Sequence, residues 1–289
     1  MRQLLLIVGL ATLIVSGCAS KPPAPATQAG KPVKLGLALG GGAARGFAHV
    51  GVIKALESQG IVPDIVVGSS AGAVVGALYA AGNNGFELQK LAHRLDETQI
   101  SDWSLPDRGV LKGDLLQKFV NDAVGQRPLE ALNKPFGAVA TDLRNGDSVV
   151  FRTGNTGMAV RASATVPGVF QPVSINGHEY VDGGLSSLIP VRAAREMGAD
   201  VVIAVDISAR PSTQPVSSTF DILMQTFTIM GQSLARYELK EADVVIRPQV
   251  GAVGSTEFQA RHDAILEGEK AAQAALPKIR EALKKAGRS

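Results

Sequence analysis

The stretch IVVGSSAGAVVGAL, residues 65–78, carries a change of structure within five residues. Ile65, Val66 and Val67 are β-branched and read as a buried strand. Gly68-Ser69-Ser70-Ala71-Gly72 follows, and residues 73–81 are apolar and alanine-rich, as a helix requires. A tight strand-to-helix turn accounts for the pattern by itself, since glycine tolerates positive φ and serine caps helices. The same G-x-S-x-G spacing is also the sharp elbow that pushes a serine Oγ out of a turn. Gly68 and Gly72 would then leave room for a crossing backbone and a substrate carbonyl.

Working outward, LGLALGGGAARGFAHVGVI (35–53) repeats the arrangement of strand, glycine loop and helix. It is not a phosphate loop, because Arg45-Gly46-Phe47 stands where Gly-Lys-Ser/Thr would be needed. Nor is it a dinucleotide fingerprint. Position 45 is arginine instead of the last glycine, and the next strand ends in Gly68-Ser69-Ser70 without an acid. Consecutive glycines at a helix start can instead turn their N–H groups into one concavity that stabilises an oxyanion. Gly40, Gly41, Gly42 and Ala43 are the candidate donors. Arg45 either orders the loop or meets an anionic head group.

The same alternation extends along the chain. Strands are expected at 35–39, 62–67, 136–141, 148–152, 201–206 and 243–247, with a hairpin turn at Asn145-Gly146-Asp147. Helices are expected at 44–58, 86–95, 114–124, 158–163, 217–241 and 259–285. Apolar strands between helices mean an α/β fold with a mostly parallel, covered sheet. In the 217–241 helix, Phe220, Leu223, Met224, Phe227, Met230, Leu234 and Tyr237 recur at helical spacing. This stripe reads as core-facing, with the wall of an acyl-chain groove as the alternative. Trp103, in SDWSLPDRG, is a candidate for contact with a membrane surface.

A serine hydroxyl needs a base. His49 lies in the apolar part of the first helix, where packing or a local hydrogen bond is expected. His93 lies among charged neighbours, and His178 is in a turn. His262, in QARHDAILEGEK, is the one histidine placed after an acid in the order Ser…Asp…His of an α/β-hydrolase triad. Its charged surroundings read as helix surface. In HEYVDGGLSSLIPV, Asp182 follows a short β-like run and precedes Gly183 and Gly184, which let a carboxylate project. An ordinary Asp-Gly turn is the alternative.

Taken together, the glycine loop with Arg45-Gly46, the Gly68-Ser69-Ser70-Ala71-Gly72 elbow, VRASATVPGVFQPV (160–173) and Asp182-Gly183-Gly184 resemble patatin-like phospholipases, in their bacterial, neuropathy-target-esterase-like branch. The resemblance covers about residues 35–210. It implies a patatin-like three-layer sandwich and a Ser–Asp dyad, with Ser70 as nucleophile, Asp182 as base and no catalytic histidine. It also implies an oxyanion hole from the glycine loop and phospholipid or lysophospholipid acyl esters as substrates. No cluster of His, Cys or carboxylates has metal-ligand spacing and Ser–Asp chemistry needs no Lewis acid, so no metal and no cofactor are expected. Ala43 departs from the pattern, since members often carry glycine there. Two other readings stand beside it: a Ser–Asp–His esterase using His262, and a lipoprotein that binds lipid or a partner without turnover. Only about 35 residues precede Ser70 in the folded part, which is short for the α/β-hydrolase order.

The first residues read as a targeting signal. Met1-Arg2-Gln3 is a short positive start, and residues 4–15 are apolar but shorter than the about 20 residues that span a bilayer. Val15-Ser16-Gly17-Cys18 resembles a bacterial lipobox, which implies lipidation of Cys18, the single cysteine. Ala19 in place of aspartate implies outer-membrane sorting, facing the periplasm. ASKPPAPATQAGKPVK (19–34), with four prolines, reads as a tether. The expected organisation is a signal peptide at 1–17, lipidated cysteine and tether at 18–34, a catalytic core at 35–210, and C-terminal helices and strand at 211–289 on the same domain. With 29 basic and 26 acidic side chains in 289 residues, nothing points to nucleic acid.

Overall fold

The computed structural model describes residues 32–96, 98, 100–102, 108–211, 217–254 and 256–288. The signal peptide, Cys18, most of the tether and Trp103 lie outside them. The unit described here is Val33–Ser289.

Five strands form the parallel part of the sheet: β1 (Leu35–Leu39), β2 (Ile65–Ser69), β4 (Phe136–Asp142), β9 (Val201–Val205) and β10 (Val244–Ile246). Their order is β10-β9-β1-β2-β4. Three short antiparallel strands extend it: β5 (Ser148–Phe151), β7 (Val173–Ile175) and β8 (His178–Asp182). A separate parallel pair, β3 (Gly109–Leu111) and β6 (Gly168–Phe170), lies off the main sheet.

Side chains alternate between two cores, as the two-residue period of a strand dictates. Leu35, Leu37 and Leu39 of β1 and Val201, Ile203 and Val205 of β9 face one core, shared with α1 (Phe47–Ser58), α2 (Ala71–Ala80) and α8 (Arg261–Ala286). Ala38, Val202 and Ala204 face the other, shared with α6 (Val191–Glu196) and Ala235 of α7 (Thr219–Glu238). Helices on both faces of a mostly parallel sheet make the three-layer α/β sandwich. The other α-helices among the described residues are α3 (Gly85–Arg94), α4 (Asp114–Ala123) and α5 (Thr156–Ser163).

The register of β4 places the site. Ala138 pairs with both Gly68 of β2 and Phe151 of β5, so β2 and β5 occupy opposite edges of β4. Ala140 pairs with both Val149 of β5 and Asp182 of β8, so β8 shares the edge of β2. Strand β2 runs parallel to β4 and ends at Ser69, opposite Val139. Strand β8 runs antiparallel and ends at Asp182, opposite Ala140. The two strands therefore meet end to end, and residues 112 positions apart become neighbours.

Three expectations change. The second strand begins at Ile65, not at residue 62: Val62 is exposed and Pro63 cannot donate to a ladder. The first helix opens with a 3-10 turn over Ala43–Gly46 before α1. The third concerns α7, whose apolar stripe is not a core face. Phe220, Leu223, Met230 and Tyr237 are 48%, 50%, 59% and 68% exposed, and the helix buries only Gly231 and Ala235. Spacing alone cannot say whether another element lies over a stripe: the described residues leave Leu223, Met230 and Tyr237 uncovered, while Phe220, Met224 and Phe227 line a cavity, as the groove-wall alternative has it.

Candidate active site

Ser70 sits between β2 and α2 with φ 54° and ψ −122°, a conformation a non-glycine residue adopts only when its surroundings impose it. They do so through close packing. A Cβ on Gly68 would lie 2.3 Å from the Gly72 carbonyl oxygen, and one on Gly72 2.1 Å from that of Leu39. Ser163 holds the turn from the other side. Its Oγ accepts the Ser70 N–H at 3.0 Å and donates to the Val139 carbonyl of β4.

The Ser70 hydroxyl donates to Asp182 Oδ2 at 2.7 Å. Asp182 Oδ1 accepts the Gly184 N–H at 2.7 Å, and the Asp182 N–H is held by the Thr165 carbonyl at 2.8 Å. Thr141 on β4 donates to the Asp182 carbonyl at 2.8 Å. Gly183 must be glycine, because its Cβ would fall 2.1 Å from the Val139 oxygen. Burial pushes the Asp182 carboxyl up from 3.8 to about 6; the bonds from Ser70 and Gly184 pull the other way and do not cancel it.

The glycine loop lies on the same cavity, and its four candidate donors separate into two pairs. The Gly40 N–H donates to the Val205 carbonyl at 3.1 Å and the Gly41 N–H to that of Leu188 at 3.0 Å. These two bonds tie the loop to the fold and leave neither group for a ligand. Gly42 and Ala43 also line the cavity, and their N–H groups have no partner among the described residues. The expected set of four thus narrows to two. Ala43 has φ 52°, so the loop takes the left-handed turn there without glycine.

Arg45 and His49 support this loop. Arg45 is buried and donates to the carbonyls of Ile207 and Val253 at 3.2 and 3.1 Å, which makes it a clamp on two distant loops. Gly46 packs against Ala71 at the elbow. His49 is fully buried, and its Nε2–H donates to the Gly40 carbonyl at 2.8 Å. Burial lowers its pKa from 6.5 to about 4, so the ring stays neutral at neutral pH. His262 is exposed, with its ring 6.3 Å from that of His93. Among the described residues no histidine bonds to Ser70 or Asp182.

Ser163, Thr165 and Thr141 were not singled out by their chemistry in the sequence. Ser163 and Thr165 fall in the 160–173 stretch, a visible signal without a visible role. The structure shows that this stretch brackets both Ser70 and Asp182.

Above the pair opens a cavity of about 540 Å³, lined mainly by apolar side chains from α2, α3, α4 and β6. Val74, Leu78, Leu88, Leu116 and Phe170 are among them, and Phe227 and Met224 close one wall from α7. Glu238, at the other end of α7, accepts the Ile189 N–H at 2.8 Å and the Ser187 hydroxyl. That anchors the helix to the loop whose Leu188 carbonyl holds Gly41. An apolar slot ending at the Ser70 hydroxyl and at two N–H groups without a partner among the described residues has room for an acyl chain with its carbonyl at Ser70.

A patatin-like phospholipase family model matches residues 37–195. An uncharacterized NTE family protein of Mycobacterium bovis is 38% identical over 195 residues, covering 64% of this chain and 53% of that protein. Patatin-like phospholipase domain-containing protein 6 of Mus musculus is 33% identical over 187 residues, 62% of this chain and 14% of its own length. The chain thus spans about half the length of the mycobacterial relative. The solved structure of VipD from Legionella pneumophila superposes with a TM-score of 0.58 at 16% identity, over 85% of this chain and 66% of that one. That likeness concerns the fold.

Proposed function

Because this chain belongs to the patatin-like phospholipase family, we propose that it is a serine acyl hydrolase of lipid esters, of phospholipase A or lysophospholipase type. The reading rests on one observation above all: the 2.7 Å bond from Ser70 Oγ to Asp182 Oδ2 at the end of an apolar slot.

Ser70 Oγ attacks the acyl carbonyl carbon as its proton passes to Asp182 Oδ2. An ordinary aspartate is a weak base for a hydroxyl. Raising its pKa to about 6 strengthens it while leaving it ionised at neutral pH. The carbonyl oxygen becomes an oxyanion and accepts from the Gly42 and Ala43 N–H groups, with the positive end of α2 nearby. Each such donor stabilises the transition state by about 3 kcal/mol. Collapse expels the alcohol, which takes the proton back from Asp182 and leaves an acyl-enzyme on Ser70. Water then attacks the acyl carbon, giving its proton to Asp182. The fatty acid leaves and the proton returns to Ser70 Oγ.

A fluorophosphonate probe tests this directly. It should label wild type at Ser70, and Ser70→Ala should lose both the label and turnover of a short-chain ester while remaining folded. Equal turnover by the two proteins would overturn the proposal.

The Val15-Ser16-Gly17-Cys18 sequence supports a second part of the reading: a lipid anchor on Cys18 at the periplasmic face of the outer membrane. Mass spectrometry of the mature amino terminus decides the lipidation, which an unmodified cysteine refutes, and separation of inner from outer membranes decides the location, which recovery in the inner-membrane fraction refutes.

A further inference from the structure

Helix α7 is apolar on two sides, and only one of them is used. Met224, Phe227, Thr228 and Gly231 line the catalytic slot. On the opposite side, Ile222, Leu223, Ile229, Met230 and Tyr237 are 50–68% exposed and lie along one face at helical spacing. Between residues 219 and 235, Asp221 is the one charged side chain. Exposed apolar faces of this kind mark interaction sites.

The surroundings indicate what covers it. At the C-terminal end of the face, Arg236 and Tyr237 enter a second cavity of about 870 Å³, lined also by Arg210, Lys240 and Arg247. Asp206 is the one carboxylate there and pairs with Arg247 at 3.1 Å. Among the described residues Arg210, Arg236 and Lys240 carry no ion pair; Lys240 sits over the Tyr237 ring instead, 5.0 Å from its centre. An apolar helix face bordered by unpaired cations complements a bilayer: acyl region against the helix, anionic phosphate groups against the arginines and lysine. A second copy of this chain would bring the same cations against each other.

We propose that α7 is the membrane-docking element, seating its outward face on an anionic lipid surface so that an acyl chain passes across the helix into the slot on its other side. The anchoring of Glu238 keeps the helix registered to Gly41 during docking. The inference rests on the lipid-hydrolase reading for its purpose but not for its test.

The test uses the mature chain expected from the lipobox, residues 18–289, with Cys18→Ser, so that neither a lipid anchor nor the apolar residues 4–15 contribute. It is sedimented with phosphatidylcholine vesicles with and without phosphatidylglycerol as about a third of the lipid. Binding is expected only with phosphatidylglycerol present. Ile229→Asp/Met230→Asp should weaken it at least about ten-fold by opposing insertion. Arg236→Gln/Lys240→Gln should weaken it about five-fold per cation and flatten its salt dependence. Neither pair lines the slot, so hydrolysis of a short soluble ester should be unchanged in both variants. Binding that survives Ile229→Asp/Met230→Asp overturns the proposal. So does an unmutated chain that ignores both vesicles, or one that forms dimers through this face. An inactive chain that still binds vesicles through α7 would defeat the hydrolase reading and leave the docking surface standing.

Discussion

Asp182→Asn should make the protein more stable and inactive at the same time, and the gain should depend on pH in a defined way. Burial raises the Asp182 carboxyl from 3.8 to about 6, so the fold favours its protonated form. A group raised in the folded state contributes stability that is fully present below its unfolded pKa and lost as pH rises through the folded one. Between pH 3 and pH 8, at about 1.4 kcal/mol per pKa unit, the ionised carboxylate costs the wild type about 3 kcal/mol. Asparagine does not titrate. Its oxygen can still accept the Gly184 N–H and its amide can donate to Ser70 Oγ, so both contacts at Asp182 are kept. The stability of Asp182→Asn relative to wild type should therefore rise by about 3 kcal/mol from pH 3 to pH 8, about 6–12 °C in Tm for a domain of this size. His49 runs the opposite way. Lowered from 6.5 to about 4, it contributes stability above pH 6.5 that is lost as pH falls through 4. Both proteins carry it, so the difference between them removes it. Urea unfolding followed by circular dichroism at several pH values measures that difference. In the same window wild-type kcat/KM on a soluble ester should rise with pH through about 6, because only the ionised carboxylate takes the Ser70 proton. A stability difference that stays flat from pH 3 to pH 8 would refute the buried-carboxylate reasoning, and an active Asp182→Asn would refute its role as base.

His262→Ala should keep kcat/KM within a few-fold and change stability by under about 0.5 kcal/mol, since the residue is exposed on α8; a folded but inactive variant would restore the triad. Ser163→Ala removes the hydroxyl shared by the Ser70 N–H and the Val139 carbonyl, so it should destabilise by about 1–3 kcal/mol and lower kcat more than it raises KM. Unaltered kcat would show that the elbow holds itself. Treatment with a chelator should leave ester hydrolysis unchanged, because a carboxylate base and backbone donors supply the chemistry proposed; activity lost to the chelator and restored by calcium or zinc would contradict this.

Much of the fold follows from local sequence. The β-branched run before Gly68, the apolar pattern of residues 201–205 and the glycine loop each specify their own strand or turn, and an alternation of such units leaves little but a covered parallel sheet. The turns that carry Ser70 and Asp182 are legible for the same reason, since each is flanked by glycine and set within about five residues, while their roles come from the resemblance of the motifs taken together. What local sequence could not carry is where those turns meet. The end-to-end approach of β2 and β8 depends on pairing Ser69 with Val139 and Asp182 with Ala140, a matter of register across 112 residues. The same holds for the donors of the glycine loop. Gly40 and Gly41 differ from Gly42 only because the Val205 and Leu188 carbonyls, contributed by distant segments, lie within reach of the first two. On α7, hydrophobic period reports how apolar a face is, while burial depends on whether another element covers it. A helix can therefore satisfy the pattern of a core and still present Leu223, Met230 and Tyr237 to the outside.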